Sequence, residues 1–416
     1  MTAAEGVVPV LTARTRAADQ VTSLLPLLDA RSPLLFMRRG EGVAGLGEAL
    51  RLSFTGPDRI ARAAETWRRI AAAASVDDAV QRSGTGLLAF GAFSFDERSA
   101  FESVLIVPRT IIGRRDGVTW VTEVTVAGEE HPPPAPEKRP LGAEFRLSLQ
   151  PGAVPPERFR EIVAQAVERI RGGGLRKVVL ARDLVGHLPE GGDLRRVLAD
   201  LALGYPDTWT FAVDGHIGSS PETLVRVDHG KVTARVLAGS IARGVDADAD
   251  HAAALRLATS TKDLDEHRYA VQSVLDTLAP HARSGVSTSE IPFALKLPNL
   301  WHLATNIEGT LSDGSSALDL AAAMHPTAAV AGTPTLAALE LIRELEPLDR
   351  GRYGGPVGWV DASGDGKWAV SLRSAEVASD GGIRAFAGGG ILAASDPDVE
   401  LAETKLKFRP IVEAFG

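Results

Sequence analysis

Hydrophobic positions recur along this 416-residue chain with two periods, and the alternation between them lays out most of its elements. The clearest helical stretch is ERFREIVAQAVERIRGG, where Phe159, Ile162, Val163, Ala166 and Ile170 return every three or four residues. Pro155 and Pro156 suit its first turn, and Gly172 to Gly174 stop it. A second amphipathic segment, rich in Ala and Arg, runs from Arg59 to Ala74, and further helices are expected over 262–281, 315–323 and 335–346. Between them lie strand-like runs: SPLLFMRR, GTGLLAFGAFSFD, SVLIVPRTII and GVTWVTEVTV early on, then RKVVLARDLVGH, TWTFAVDG, TLVRVDHGKVTARVLAG, GWVDASGDGKWAVSLRSAEV and GGIRAFAGGGIL. Several are joined by DG or GDG turns, which favour antiparallel hairpins. Long hairpin strands with helices interleaved predict an α+β protein built on antiparallel sheets rather than a doubly wound parallel sheet.

Residues 127–144 concentrate prolines among charges, so neither strand nor helix continues through them. The chain is therefore read as residues 1–126, an α+β part of the same globular unit, a surface linker over 127–144, and a region 145–416 that holds the candidate chemistry. At 44% apolar the chain can bury a large core. A formal charge of -8 without a dense basic stripe argues against nucleic-acid binding and makes a small-molecule role the default. With no cysteine, disulfides, thiolate metal sites and a cysteine nucleophile are excluded, and a cytoplasmic address follows easily. No 18-residue apolar run and no leader-type segment point to a membrane or to secretion. No exposed apolar stripe calls for a partner, so a monomer is expected.

Several residues stand out of pattern. Lys177 shares a strand face with Val179 and Ala181, either as an edge lysine reaching water or as a desolvated lysine whose free amine acts as a general base. Glu222, in GSSPETLVRV, is a loop carboxylate that gains meaning only if a base faces it. In STKDLDEHRYAVQSVLDTL, Glu266 and His267 border an apolar stripe of Ala270, Val271, Val274, Leu275 and Leu278, while Asp265 points away. Glu266 is then either part of a salt-bridged helix start or a partly buried carboxylate requiring a partner. In ELAETKLK, Glu400, Glu403 and Lys407 share a narrow sector of a helix, with Leu401, Phe408 and Val412 on a separate apolar stripe. Two carboxylates so placed suit Mg²⁺ held by few protein oxygens, or else Glu403 and Lys407 form an i, i+4 ion pair. The glycine run in FAGGGI reads as a tight turn beside a carboxylate, and Arg373 as an arginine in an apolar strand, a natural fork for a substrate carboxylate. His302 and His325 are single histidines in apolar settings.

In order along the chain stand KVVLAR, SPETL, LAGSIARG, STKDLDEH, MHPTAAVAGTP, RYGGPVGW, AVSLR, FAGGGI and ELAETKLK. Together they resemble the chorismate-utilising family of isochorismate, salicylate, anthranilate and aminodeoxychorismate synthases, densely from about residue 155 to 416 and only loosely before. The resemblance implies two large antiparallel β-sheets packed as a core with helices outside, and a site in a deep cleft. It implies Lys177 as the general base that activates water for attack at C2 of chorismate, and Glu222 as the general acid that protonates the departing C4 hydroxyl. It implies Mg²⁺ on Glu266 and Glu403, with Glu400 supporting through water. Arg373, Lys407 and the amides around Gly388, Gly389 and Gly390 would receive the enolpyruvyl carboxylate. The same motifs carry Ala238, Gly239, Ser240, His325, Thr327, Ala329 and Tyr353 to the substrate pocket, and His302, in LWHLAT between them, is expected there as well.

Within the family, three positions point to isochorismate formation. Ala238 stands where aminodeoxychorismate synthases carry lysine, Ala329 where ammonia users and salicylate synthases usually carry threonine, and Lys177 where anthranilate synthases lack a lysine. No glutaminase domain is present, and no glutaminase subunit is required for this reaction. The alternatives are a salicylate synthase, which goes on to eliminate pyruvate, and a non-catalytic chorismate-binding homologue, which would be expected to lack Lys177, Glu222 or a metal glutamate. Menaquinone, catechol siderophores and salicylate-type metabolites all draw on isochorismate. HPTAAVAG in place of HPTPA, and glycine for alanine in FAGGGI, are small-for-small departures that leave side-chain chemistry untouched.

Overall fold

Strand pairing gathers the alternating segments into two sheets. The computed structural model describes residues 9–19, 21–129, 132–283, 285–289, 291–296 and 300–416, without the side chains of Ser240, Lys262, Glu266 and Leu300. Among these residues one sheet has 13 strands and the other 10. The larger runs from Gln150–Pro151 through Lys177–His187, Gly382–Ile391, Ser374–Val377, His216–Ser220 and Trp209–Val213, then on through Leu34–Arg38 to the other N-terminal strands. The smaller runs from Val286–Thr288 through Leu300–Thr310, Lys231–Ala242, Thr223–Asp228, Gly366–Val370 and Pro356–Asp361, then Leu88–Ala92 and two further N-terminal strands. All pairings among them are antiparallel except that of Leu11–Ala17 with Ser75–Asp78.

Strands from the first third are built into both sheets. Phe36 pairs with Phe211 in the larger and Ala92 with Val357 in the smaller, so both sheets close across residues far apart in the chain. Residues 132–149 form no helix or strand. Phe90 and Trp120 point between the sheets, whereas Trp368, whose strand neighbour Lys367 faces that gap, points to the opposite face of the smaller sheet and packs on Phe93. All four are fully buried, and each phenylalanine contributes about 1.5–3 kcal/mol of apolar transfer.

The helices cover the outside. Pro156–Arg171 buries Phe159, Ile162, Val163, Ala166 and Ile170, the residues its periodicity marked. Thr261–Leu278 starts where the Ser260 hydroxyl accepts from the Asp263 amide, and it buries Ala270, Val274 and Leu278. Two further helices escape the periodicity reading: Leu194–Gly204, capped by Asp193, and Ala247–Thr259, capped by Asp246. The first alters the C-terminal helix, Pro397–Phe415. Its last turns pack on Leu194–Gly204, so Ile411, Ala414 and Phe415 are buried and Val412, expected on the apolar stripe, is exposed. No helix of the described residues is long and apolar enough to cross a membrane.

Twice the chain passes from one sheet to the other at the same place. Pro221 and Glu222 connect His216–Ser220 of the larger sheet to Thr223–Asp228 of the smaller. Residues Ser371 to Arg373 connect Gly366–Val370 of the smaller to Ser374–Val377 of the larger. The crossings are tied side by side: the Val370 amide donates to the Glu222 carbonyl at 3.1 Å, and the Ser219 amide to that of Arg373 at 3.1 Å.

Candidate active site

A cavity of about 130 Å³ opens where the two crossings meet the strand Lys177–His187 and the C-terminal helix. Lys177, Glu222, Ala238, Gly239, His302, Ala329, Tyr353, Arg373, Gly388 to Gly390, Glu400, Glu403 and Lys407 line it. These residues come from well-separated parts of the chain.

Lys177 begins an interior strand, bridged to Thr333 on one side, and the next residue pairs with Ile391 on the other. It is 7% exposed, which sets aside the edge-strand alternative. Glu222 is 5% exposed. Burial pushes its carboxyl up to about 8, although Lys177, Arg373 and Lys407 all pull toward ionisation. At neutral pH this group therefore holds a proton, which is the state a general acid needs.

Arg373 does not lie in a strand. It occupies the second crossing with φ 51°, because a chain leaving one sheet for the other cannot keep extended pairing there. The residue is 8% exposed, and its guanidinium forms no hydrogen bond or ion pair among the described residues and is lowered in pKa by burial. Such a group lacks an acceptor, and a bidentate carboxylate supplies one. His302 is also buried, its Nε2 without a partner among the described residues. Burial, then repulsion from Arg373 and Lys407, drives its pKa down to about 3, so it faces the cavity as a neutral imidazole.

The glycine run corrects the turn expected for FAGGGI. Gly388, Gly389 and Gly390 lie inside the strand Gly382–Ile391, in register with Ala181, Leu180 and Val179. Close approach explains the glycines: a Cβ on Gly388 would stand 2.5 Å from the Leu180 carbonyl, and one on Gly389 3.1 Å from Glu400 Oε2. Lys407 Nζ donates to the Gly388 carbonyl at 2.8 Å and pairs with Glu403 Oε1 at 2.5 Å. The i, i+4 ion pair is thus present, but at a cavity wall rather than on a wet surface. Glu400 is 6% exposed and accepts from Ser395 Oγ at 2.6 Å.

On the opposite wall, Lys231–Ala242 slips register between Leu237 and Ser240, and Gly239 takes φ 79°. The bulge turns Ala238 and Gly239 toward the cavity. Behind Ala329, the buried Arg350 and Glu346 pair at 2.5 Å. Arg350 also donates to the carbonyls of Val179 at 2.6 Å and Val330 at 3.1 Å, while Glu346 accepts from the Ala181 amide at 2.7 Å. This pair clamps the Lys177 strand to the loop carrying Ala329.

Other expected site residues lie elsewhere. His325 donates from Nε2 to the Phe95 carbonyl at 2.9 Å and does not line the cavity. Thr327 faces an adjoining recess that shares Glu222 and Ala329. The side chains of Ser240 and Glu266 lie outside the described residues. Sequence reasoning passed over Asp263 and Arg350, which also line the cavity. Each lies in or just before a motif already singled out, STKDLDEH and RYGGPVGW, and an acid or arginine so close to one was the available signal.

A family described as chorismate binding enzyme matches residues 11–416, nearly the whole chain. This chain belongs to that family. The isochorismate synthase DhbC of Bacillus subtilis (strain 168) is 38% identical over 341 residues, which is 79% of this chain and 81% of the relative. The crystal structure of a putative 2,3-dihydroxybenzoate-specific isochorismate synthase, DhbC from Bacillus anthracis, superposes with a TM-score of 0.75 at 31% identity, covering 94% of this chain and 98% of that one. The menaquinone-specific isochorismate synthase MenF of Escherichia coli shares the fold, with a TM-score of 0.79 at 22% identity over 98% of this chain and 96% of its own. The fold shared with these two structures is the one described above, two large and almost wholly antiparallel sheets with helices outside.

Proposed function

We propose that this protein is an isochorismate synthase that interconverts chorismate and isochorismate, water adding at C2 as the C4 hydroxyl leaves. The observation that carries the reading is a single cavity holding a buried lysine and a buried carboxylic acid that stays protonated at neutral pH. Lys177 takes the proton of the attacking water, and Glu222 gives its proton to the departing hydroxyl. In the reverse direction the two exchange roles, so one pair serves an equilibrium. Arg373 receives a substrate carboxylate, with Tyr353 and the glycine strand shaping that end of the cavity. Neutral His302 offers Nε2 to a substrate oxygen. The small side chains of Ala238 and Ala329 leave room for water where a larger residue would intrude.

The donor set also fits Mg²⁺. Glu400, Glu403 and Asp263 line the cavity with carboxylate oxygens, the donor class of a hard cation. Among the described residues, the grouping of three candidate ligands within 4.8 Å is Asp228, His229 and Asp365, none of which lines this cavity. We assign the ion to Glu403 and Glu266, with Glu400 in support. Bound there, Mg²⁺ supplies charge neutralisation for the ring carboxylate. The protein acts as a single cytoplasmic chain without a glutaminase subunit. Residues 1–126 form part of the same unit, 127–144 a linker and 145–416 the chorismate-binding region.

Incubation with chorismate and Mg²⁺, with and without ammonia, tests this reading by product mass. A reversible, ammonia-independent mixture with isochorismate is expected. Salicylate with pyruvate, anthranilate, or no product would each reject it.

A further inference from the structure

A second and larger cavity, of about 560 Å³, opens between the two sheets and shares no lining residue with the first. Arg38 and Trp209 reach it from the larger sheet, and Arg226, Arg235 and Lys367 from the smaller. In a chain of net charge -8, cations drawn into a cavity are expected to find carboxylates. Three here do not. Arg38 lies 4.7 Å above the Trp209 ring, Lys367 lies 5.6 Å from the same ring, and Arg235 gives Nε to the Asn306 amide oxygen at 2.8 Å. None of the three forms an ion pair with the described residues. The acids on the wall, Asp116 and Glu308, are exposed at the rim, and Glu41 accepts from the Asp116 amide.

The cations also work against one another. Arg38 is lowered by burial and then by Arg235 and Arg39, with Asp207 acting the other way, and Lys367 is pushed down to about 7 by burial and then by Arg115 and Arg226, which Asp228 only partly offsets. Mutual repulsion and unmet donors share one remedy, which is an anion between them. The volume lies within the range of small-ligand sites, roughly 300–1,000 Å³. We propose that this cavity binds a small molecule with two or more anionic groups, a polycarboxylate or a phosphate ester, held by Arg38, Arg235 and Lys367. The proposal is independent of the reaction assigned above.

Calorimetric titration of the full chain in low-salt, phosphate-free buffer tests it, with citrate and pyrophosphate as probes. Saturable binding of one equivalent is expected, weakened about tenfold or more in Arg38→Gln and in Lys367→Met. The variant Arg373→Ala, which alters the first cavity, should bind as the wild type does. Binding of citrate alone supports a polycarboxylate, of pyrophosphate alone a phosphate ester, and of both the shared chemistry. Should a variant fail to fold by circular dichroism, quenching of the wild-type indole fluorescence by either probe carries the test, since Trp120, Trp209 and Trp359 all line the site. Failure of both probes to saturate the wild type, or binding lost in Arg373→Ala but kept in Arg38→Gln, overturns the proposal.

Discussion

Replacing Glu222 by glutamine should move stability and activity in opposite directions. The amide has the shape of the protonated carboxyl that the folded protein holds, so the cavity keeps its packing. The folded-state pKa is raised from 4.5 to about 8. Between those values the unfolded chain has released the proton while the folded chain keeps it, so wild-type stability falls as pH rises. Each unit is worth roughly 1.4 kcal/mol, so on the order of 4 kcal/mol is lost between about pH 5 and pH 8. Glutamine does not titrate and escapes this loss. Other groups titrate in the same window. Asp361, raised to about 7, also loses stability with rising pH, whereas Lys367, lowered to about 7, gains it above that value. These contributions cancel in the difference between the two proteins. Urea melts of both at half-unit steps from pH 5 to 9 should show the advantage of Glu222→Gln growing steadily and levelling near pH 8. Turnover of chorismate in the same preparations should fall by about 10²–10⁴, the usual worth of a general acid. A stability difference that stays flat with pH, or a variant that turns over at the wild-type rate, refutes the reasoning.

Lys177→Ala should lower kcat by a similar factor of about 10²–10⁴ while the circular dichroism melt stays cooperative. Glu403→Gln should raise the Mg²⁺ concentration needed for half-maximal turnover, and an unchanged metal titration would remove Glu403 from the ion. Arg373→Lys keeps the charge but loses the planar fork, so KM for chorismate should rise by roughly tenfold or more, read from initial rates, with a smaller change in kcat. Gly389→Ala places a Cβ 3.1 Å from Glu400 Oε2 and should displace that carboxylate, seen as weaker Mg²⁺ dependence in the same titration.

Much of this molecule was legible before folding because it is encoded in short windows. The helix Pro156–Arg171 buries the residues its period of 3.6 selected, since a helix face is set by neighbours three and four apart. Lys177 was singled out because a charge on an apolar strand face is costly unless it has a use, the Glu400/Glu403 pair because carboxylates three apart share a helix face, and Glu222 only as a loop carboxylate that a facing base would make meaningful. The sequence also excluded thiol chemistry outright. What it left open depends on partners far away in the chain. The glycine run became strand rather than turn because Lys177–His187 lies beside it, and Arg373 left its strand because the chain changes sheets there. Val412 lost its buried place to the helix Leu194–Gly204, which periodicity did not reveal. The cation-lined cavity is the extreme case. Arg38, Arg226, Arg235 and Lys367 stand on separate strands of two sheets, so no window of the sequence contains a basic stripe. Only the packing of one sheet on the other, driven by burial that is indifferent to charge order along the chain, brings them together.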